Sequence, residues 1–384
     1  MRVLIAFDKF KDALTSPAAC EIASEVLADI RPDWSLDLCP LADGGEGFGT
    51  ILTQAAQGKW HSLEVTGPRG GRCRSGFGIV DPSRLTTAAR DQLNIGNARS
   101  LGVVEMASAS GLESLQPDER NPWQTDSRGT GEAIHAAIAA GAEALLLGVG
   151  GSATNDLGIG ALAQLGWAPA NEEGEALSIL APIGWPDLTQ FRHDGGSLPP
   201  IRIACDVSNP LLGDRGATTV FGPQKGLRAE DRDRLEAEVA RVSSLLGEAA
   251  QNSGNENTPG AGAAGGIAFG FLTAAQAQLV PGFDLVEAWL GVADKLAEAD
   301  LVITGEGCFD ESSLEGKGPG SLIHRTAEAG KRAIVFAGAI GPISALPSGC
   351  SIHAITPEDT GLSEALAESA DNLAASIRTR IAIE

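Results

Sequence analysis

Arg2-Val-Leu-Ile-Ala-Phe7, followed at once by Asp8, Lys9 and Lys11, is the stretch that decides the fold. Val3 to Phe7 is a short apolar run without polar interruption, as a strand buried on both faces requires. Ser16-Pro17 then supplies an N-cap and an N1 proline, and Ile22, Val26, Leu27 and Ile30 recur at helical spacing until Arg31-Pro32. Leu36 to Cys39 reads as a second strand running into Leu41-Ala-Asp-Gly-Gly-Glu-Gly47. Strand, helix and strand in this order make a βαβ unit, with polar loops where the strands end.

The same rhythm returns far along the chain. Leu301 to Thr304, Ala333 to Ala337 and Ile352 to Ile355 read as strands, with helices over about 318–329 and 362–380. Between these blocks the texture changes. His61 to Thr66 and Arg72 to Val80 read as antiparallel strands joined through Pro68-Arg-Gly-Gly71, and Val103 to Met106, Ala144 to Val149 and Ile201 to Cys205 as further strands. Helices are expected over Thr130–Ala140 and Leu227–Ala250, a structureless stretch over 170–200 and a mobile loop over Gln251–Gly262. Strands from both ends of the chain can share one parallel sheet. The expected fold is therefore α/β with two domains: a discontinuous Rossmann- or flavodoxin-like parallel-sheet domain, 1–60 and 284–384, with a second α/β domain, 61–283, inserted. The active site is expected in the cleft between them.

Composition narrows the function. The formal net charge of −22 repels nucleic acid and anionic membranes. The six cysteines form no C-x-x-C pair, which with the length reads as a reduced, cytoplasmic protein. The five histidines are scattered, against a histidine-based zinc site. No apolar stretch suits a membrane span, and Arg2–Lys11 has not the form of a signal peptide. Monomer and homodimer both stay open.

In open α/β sheets ligands bind beyond the carboxyl ends of strands. Asp8, Lys9 and Lys11 follow the first strand; Asp43, Gly44, Gly45 and Glu46 the second; Gly150-Gly-Ser-Ala-Thr-Asn-Asp156 the strand at 144–149. Asp206, Ser208 and Asn209 follow the strand at 201–205, and Gly305-Glu-Gly-Cys-Phe-Asp310, then Lys317, the strand at 301–304. Carboxylates beside glycine thus recur at strand ends, twice with lysine. Glycines allow main chain to approach a phosphate, and free N–H groups at a helix start attract anions. Gly150–Gly158 is equally readable as a tight turn with an Asn/Asp cap, and Asp43 as the cap of a following helix. Carboxylates such as Asp43 and Glu46 suit Mg²⁺, whose remaining ligands are waters and phosphate oxygens. Lys11 and Lys317 could neutralise phosphoryl oxygens. Pro223-Gln-Lys225-Gly226 either positions a substrate or is a surface turn. The chain contains neither a Walker P-loop nor G-x-G-x-x-G after the first strand.

Taken in order, these loops resemble the bacterial glycerate kinase family, of the type that makes 2-phosphoglycerate. The matching stretches include Phe7-Asp-Lys-Phe-Lys-Asp-Ala-Leu14, Ala42-Asp-Gly-Gly-Glu-Gly47, Gly129-Thr-Gly-Glu132 and Gly150–Asp156. Others are Cys205-Asp-Val-Ser-Asn-Pro-Leu211, Phe221-Gly-Pro-Gln-Lys-Gly226, Gly262-Ala-Ala-Gly-Gly266, Val302-Ile-Thr-Gly-Glu-Gly307 and Leu314-Glu-Gly-Lys317. The resemblance implies phosphorylation of D-glycerate with ATP and Mg²⁺ as cofactors. One departure stands out: many members carry Arg-Leu-Asp and then Gln after Gly-Glu-Gly, where this chain has Cys308-Phe-Asp-Glu-Ser312. If that Arg grips the substrate carboxylate, this chain needs a replacement, for which Arg128 and Lys317 are candidates.

The expected chemistry is in-line transfer without a covalent intermediate. Asp206 or Asp310 acts as base, Lys11 and Lys317 contact phosphate, and Asp43 with Glu46 holds the metal. Asp8, Gly44, Gly45, Gly151, Ser152, Thr154, Asn155, Asn209, Lys225 and Glu306 complete the expected substrate and phosphate contacts. Two alternatives are a kinase for another small hydroxy acid, favoured by Cys308, and a non-catalytic nucleotide-binding regulator.

Overall fold

The structure is a computed structural model and describes residues 1–42, 44–194, 196–315 and 318–382. Its strands, in chain order, are β1 (Arg2–Phe7), β2 (Ser35–Leu38), β3 (Lys59–Thr66), β4 (Arg72–Val80), β5 (Leu101–Glu105) and β6 (Ala144–Gly148). There follow β7 (Trp167–Ala170), β8 (Gln190–His193), β9 (Ile201–Ala204), β10 (Gln278–Val280), β11 (Leu301–Phe309), β12 (Arg332–Ile340) and β13 (Cys350–Ala354). The chain divides into two compact units, Met1–Asp43 with Val286–Glu384, and Gly44–Leu285.

The first unit holds a five-stranded sheet in the order β13-β12-β11-β1-β2, parallel throughout. Val3, Ile5 and Phe7 are fully buried, as are Ile303 and Phe336 on the neighbouring strands. Helices Ser16–Ile30 and Ser369–Ile381 pack on each other, burying Ala19, Ala23, Leu27, Leu373 and Ile377. Each Leu, Ile or Phe so buried contributes about 1.5–3 kcal/mol. The helix cap lies one residue earlier than the sequence suggests. Thr15 Oγ1 accepts from the Ala18 N–H, while Ser16 Oγ donates to the Phe7 carbonyl at 2.8 Å and fastens the helix start to the end of β1. The expected helix over 362–380 is two, Leu362–Ala367 and Ser369–Ile381, broken at Glu368. From β1 the order runs outward through β2 on one side and through β11 on the other. The switch point therefore lies at the carboxyl ends of β1 and β11.

The second unit is built on a six-stranded sheet, β10-β9-β6-β5-β4-β3, parallel from β10 to β5 and antiparallel at β4 and β3. It begins ahead of residue 61 because helix Phe48–Ala55 belongs to it. Phe48 is buried against Gly148, and the Gly49 N–H donates to Glu105 Oε2 at 2.7 Å. The stretch 170–200 contains part of a short antiparallel pair, β7 with β8, that reading for loop residues overlooks; Pro169 within β7 disguises it. Gln251–Gly262 is tied down: Asn252 Nδ2 donates to the carbonyls of Leu272 and Thr273, and Asn255 Nδ2 to Thr273 Oγ1. No helix among the described residues is long and apolar enough to cross a membrane.

Candidate active site

At the carboxyl ends of β1, β11, β12 and β13 the first unit opens into a cavity of about 820 Å³. Asp8, Lys11 and Glu306 line it together. Asp8 leaves β1 half-buried, its Oδ1 accepting the Lys9 N–H at 2.7 Å. Lys11 is exposed, in a tight turn where Asp12 takes a φ of 61°. Glu306 projects from β11 with Oε1 buried and without a hydrogen-bond partner. Burial pushes its carboxyl up to about 7; Ser313 opposes the rise by hydrogen bonding, and Asp8 and Asp310 add like charge. A carboxyl near neutrality, facing a cavity, is able to accept a proton at physiological pH. Cys308 lies at the rim, exposed, its thiol raised by burial and by Asp310 and Glu306.

Asp310 has a different setting. Its Oδ1 accepts from Ser312 Oγ at 2.5 Å, Ser312 N at 2.9 Å and Ser313 N at 3.3 Å, capping helix Glu311–Glu315. These bonds, the Ser312 hydroxyl foremost, hold it below the usual carboxylate range. In the second unit Asp206 is likewise committed to a helix start, accepting the Phe283 N–H at 3.0 Å ahead of Asp284 in helix Gly282–Leu290. Asn209 Nδ2 donates to the Arg215 carbonyl at 2.8 Å and closes a turn.

The second unit brings the two glycine loops together. The Gly150 N–H donates to the Gly44 carbonyl at 2.9 Å, and a Cβ on Gly150 would stand 2.7 Å from the Gly45 main chain. Below this contact Gly151 is exposed while Ser152, Thr154 and Asn155 turn inward. Lys225 is buried beneath them, donating to Ser152 Oγ at 2.8 Å and to the Thr154 carbonyl at 2.6 Å. Burial lowers this lysine to about 7, opposed by Asp156. Thr154 Oγ1 and Asn155 Oδ1 are buried without protein partners, although Asn155 Nδ2 donates to Thr218 Oγ1 at 3.2 Å. The loop is thus seated on a polar floor.

That floor has members the sequence reading missed. Asp156, fully buried, accepts from Ser127 Oγ at 2.7 Å, Ser127 N at 2.8 Å and Gly160 N at 3.1 Å, fixing the loop to helix Arg128–Ala139. Asp126 beside it is pushed up to about 6 by burial and by Asp156. Gly265, with φ of 70°, lies so close that a Cβ would come within 2.0 Å of the Thr154 carbonyl. A buried Asp and a glycine run gave a signal in the motif itself, but sequence cannot say that Gly262–Gly266 folds back on Gly150–Asp156. Arg128 begins the helix on a separate cavity of about 420 Å³ that Gln164 and Ser178 also line; its Nη2 stands 3.7 Å from Asp126 Oδ2, and its Nε is buried without a partner. Gly44 and Gly45 are buried, whereas Glu46 is exposed. Asp43 and Lys317, expected as a metal ligand and a phosphate contact, lie outside the described residues. Among the described residues no cluster of three or more His, Cys, Asp or Glu side chains is disposed to hold a metal.

A parallel sheet with a charged cavity at its switch point defines a doubly wound α/β protein of the enzyme class, with its ligand site at the strand ends. The particular family follows from comparison with known proteins. The chain belongs to the glycerate kinase family, whose model matches residues 3–383. It is similar to a glycerate kinase of Bacillus subtilis (strain 168), 40% identical over 326 residues, 83% of this chain and 80% of that protein. It is also similar to a glycerate 2-kinase of Escherichia coli (strain K12), 33% identical over 347 residues, 88% and 86% of the two chains. A crystal structure from Salmonella typhimurium LT2, provisionally named glycerate kinase 2, superposes with a TM-score of 0.75 at 33% identity, over 100% of this chain and 98% of that one.

Proposed function

We propose that this chain phosphorylates the 2-hydroxyl of D-glycerate with ATP and Mg²⁺. The observation that carries the reading is Glu306: a half-buried carboxyl near 7, with one oxygen unpartnered, in a strand-end cavity shared with Asp8 and Lys11. In the proposed step the glycerate hydroxyl oxygen forms a bond to the γ-phosphorus while the bond from that phosphorus to the bridging oxygen of ADP breaks. Glu306 takes the hydroxyl proton, and Lys11 offsets charge on the phosphoryl oxygens. Glu306, a contact by sequence, suits the task of base better than Asp206 or Asp310. Asp310 is held ionised by its cap bonds, and Asp206 serves a helix start.

Mg²⁺ needs only one or two protein carboxylates beside phosphate oxygens and water. Asp43 and Glu46, hard oxygen donors around a glycine pair, fit that requirement, and Glu46 is exposed to receive it. When bound, the ion would neutralise the transferring phosphoryl group. The glycine loops at 44–47 and 150–156 are proposed as phosphate or substrate contacts, with Lys225 and Asp156 positioning the latter. A cytoplasmic setting belongs to the same proposal. One observation favours a second reading, a kinase for another hydroxy acid: Cys308 leaves a neutral thiol where many relatives carry a cation. The test is ADP release from Mg-ATP by the purified protein. Release that depends on D-glycerate supports the proposal; release only with other hydroxy acids moves it to the second reading, and none with any acceptor overturns it.

A further inference from the structure

The cavity of the first unit has two chemically different ends. Asp8, Lys11 and Glu306 gather where β1 and β11 finish, whereas Ala339, Ala354 and Leu366 line the side over β12 and β13. Two of the polar groups on that side are turned to the main chain: Thr356 Oγ1 donates to the Gly338 carbonyl at 2.6 Å, and Ser369 Oγ to the Ala365 carbonyl at 2.7 Å. Leu362, on the lip, is 76% exposed, and Ala339 and Ala354 are exposed as well. Three strand spacings separate β1 from β13, roughly 14 Å across the sheet order. A three-carbon acid fills one end of such a space and offers nothing apolar to the other. Cavities of this size ordinarily take larger ligands, mostly by apolar contact with a few polar groups that fix orientation.

We propose that the apolar end holds the nucleoside base of the phosphoryl donor, against Ala339, Ala354, Leu362 and Leu366, with the phosphates running towards the switch point. This rests on the kinase reading for the existence of a nucleotide donor, and assigns its place. The base presents flat apolar faces to a wall without side-chain charge. The triphosphate reaches Lys11 and the carboxylates, where transfer is proposed. Glycerate, with a carboxylate and two hydroxyls, has no matching surface at the alanine end.

Ala354→Trp and Ala339→Trp test the assignment, since both side chains are exposed and their replacement spares the core. Leu362→Gln removes apolar contact without adding bulk. Mg-ADP binding is followed by calorimetry, which needs no turnover, and KM is measured for ATP and for D-glycerate. The expected result is an ADP Kd and an ATP KM raised tenfold or more in the tryptophan variants and severalfold in Leu362→Gln, with the D-glycerate KM changed less than twofold. Equilibrium unfolding matching the parent protein shows that the fold is kept. An unaltered ADP Kd in all three variants overturns the assignment, as does a raised D-glycerate KM beside an unaltered ATP KM. ADP binding that responds to these variants, in a protein that does not turn over D-glycerate, supports the nucleotide site while refuting the substrate reading.

Discussion

Replacing Lys225 with methionine probes the floor of the glycine loop. The lysine is 1% exposed, and its two donated bonds end on Ser152 Oγ and the Thr154 carbonyl. Burial holds it near 7 against an ordinary 10.5, and Asp156 supplies the opposing attraction. Between these two values the unfolded chain carries a proton on Lys225 that the folded chain lacks, so this group makes stability rise with pH. Below pH 7 both states are protonated and the penalty of the buried charge stands at its full value; above 10.5 it has vanished. The slope approaches about 1.4 kcal/mol per pH unit, giving about 2 kcal/mol between pH 7 and pH 9. Methionine carries no proton and leaves two buried acceptors without donors, a loss of about 1–3 kcal/mol each. Urea unfolding of both proteins at pH 7, 8 and 9 isolates the effect, because every other titrating group is common to the pair. The stability of wild type relative to Lys225→Met should grow by about 2 kcal/mol over that range. A difference that stays flat with pH would refute the reasoning, showing that Lys225 keeps an ordinary proton affinity or reaches water.

Three further outcomes follow from the same geometry. Glu306→Gln should lower kcat about 10²–10⁴-fold, and the rise of kcat/KM through pH about 7 assigned to this carboxyl should disappear from the variant's pH profile. Asp310→Ala removes a cap acceptor rather than a base, so unfolding should show a loss of about 1 kcal/mol while kcat stays within tenfold. Gly265→Ala puts a methyl within 2.0 Å of the Thr154 carbonyl at a φ of 70°; denaturant unfolding should register a loss of about 3 kcal/mol or more, or no folded protein.

The parallel sheet was legible because Val3–Phe7, Leu301–Thr304 and Ala333–Ala337 are apolar runs with charge and glycine directly after them, and strand ends are where such residues are useful. Short elements were not. β7 and β8 have four residues each, too few for a period to emerge, and β7 carries Pro169. At the site, residue type told which loops matter but not which way the side chains face. Thr154, Asn155 and Lys225 carry the chemistry of phosphate contacts, yet the structure turns all three inward, and Lys225 holds the loop from below through Ser152 and the Thr154 carbonyl. Asp310 and Asp206 have the chemistry of a base, and local N–H groups claim both. The raised proton affinity of Glu306 has no signal in sequence, because it comes from burial and from Asp8, a residue 298 positions away.

The most direct test of the central claim is phosphorus NMR of wild-type protein mixed with ATP, Mg²⁺ and D-glycerate. The account predicts loss of the γ-phosphate signal, formation of ADP and a new monoester signal coupled to the single proton of glycerate carbon 2. A monoester on carbon 3 would contradict the proposed regiochemistry, and ATP left intact in the presence of D-glycerate would contradict the proposed reaction itself.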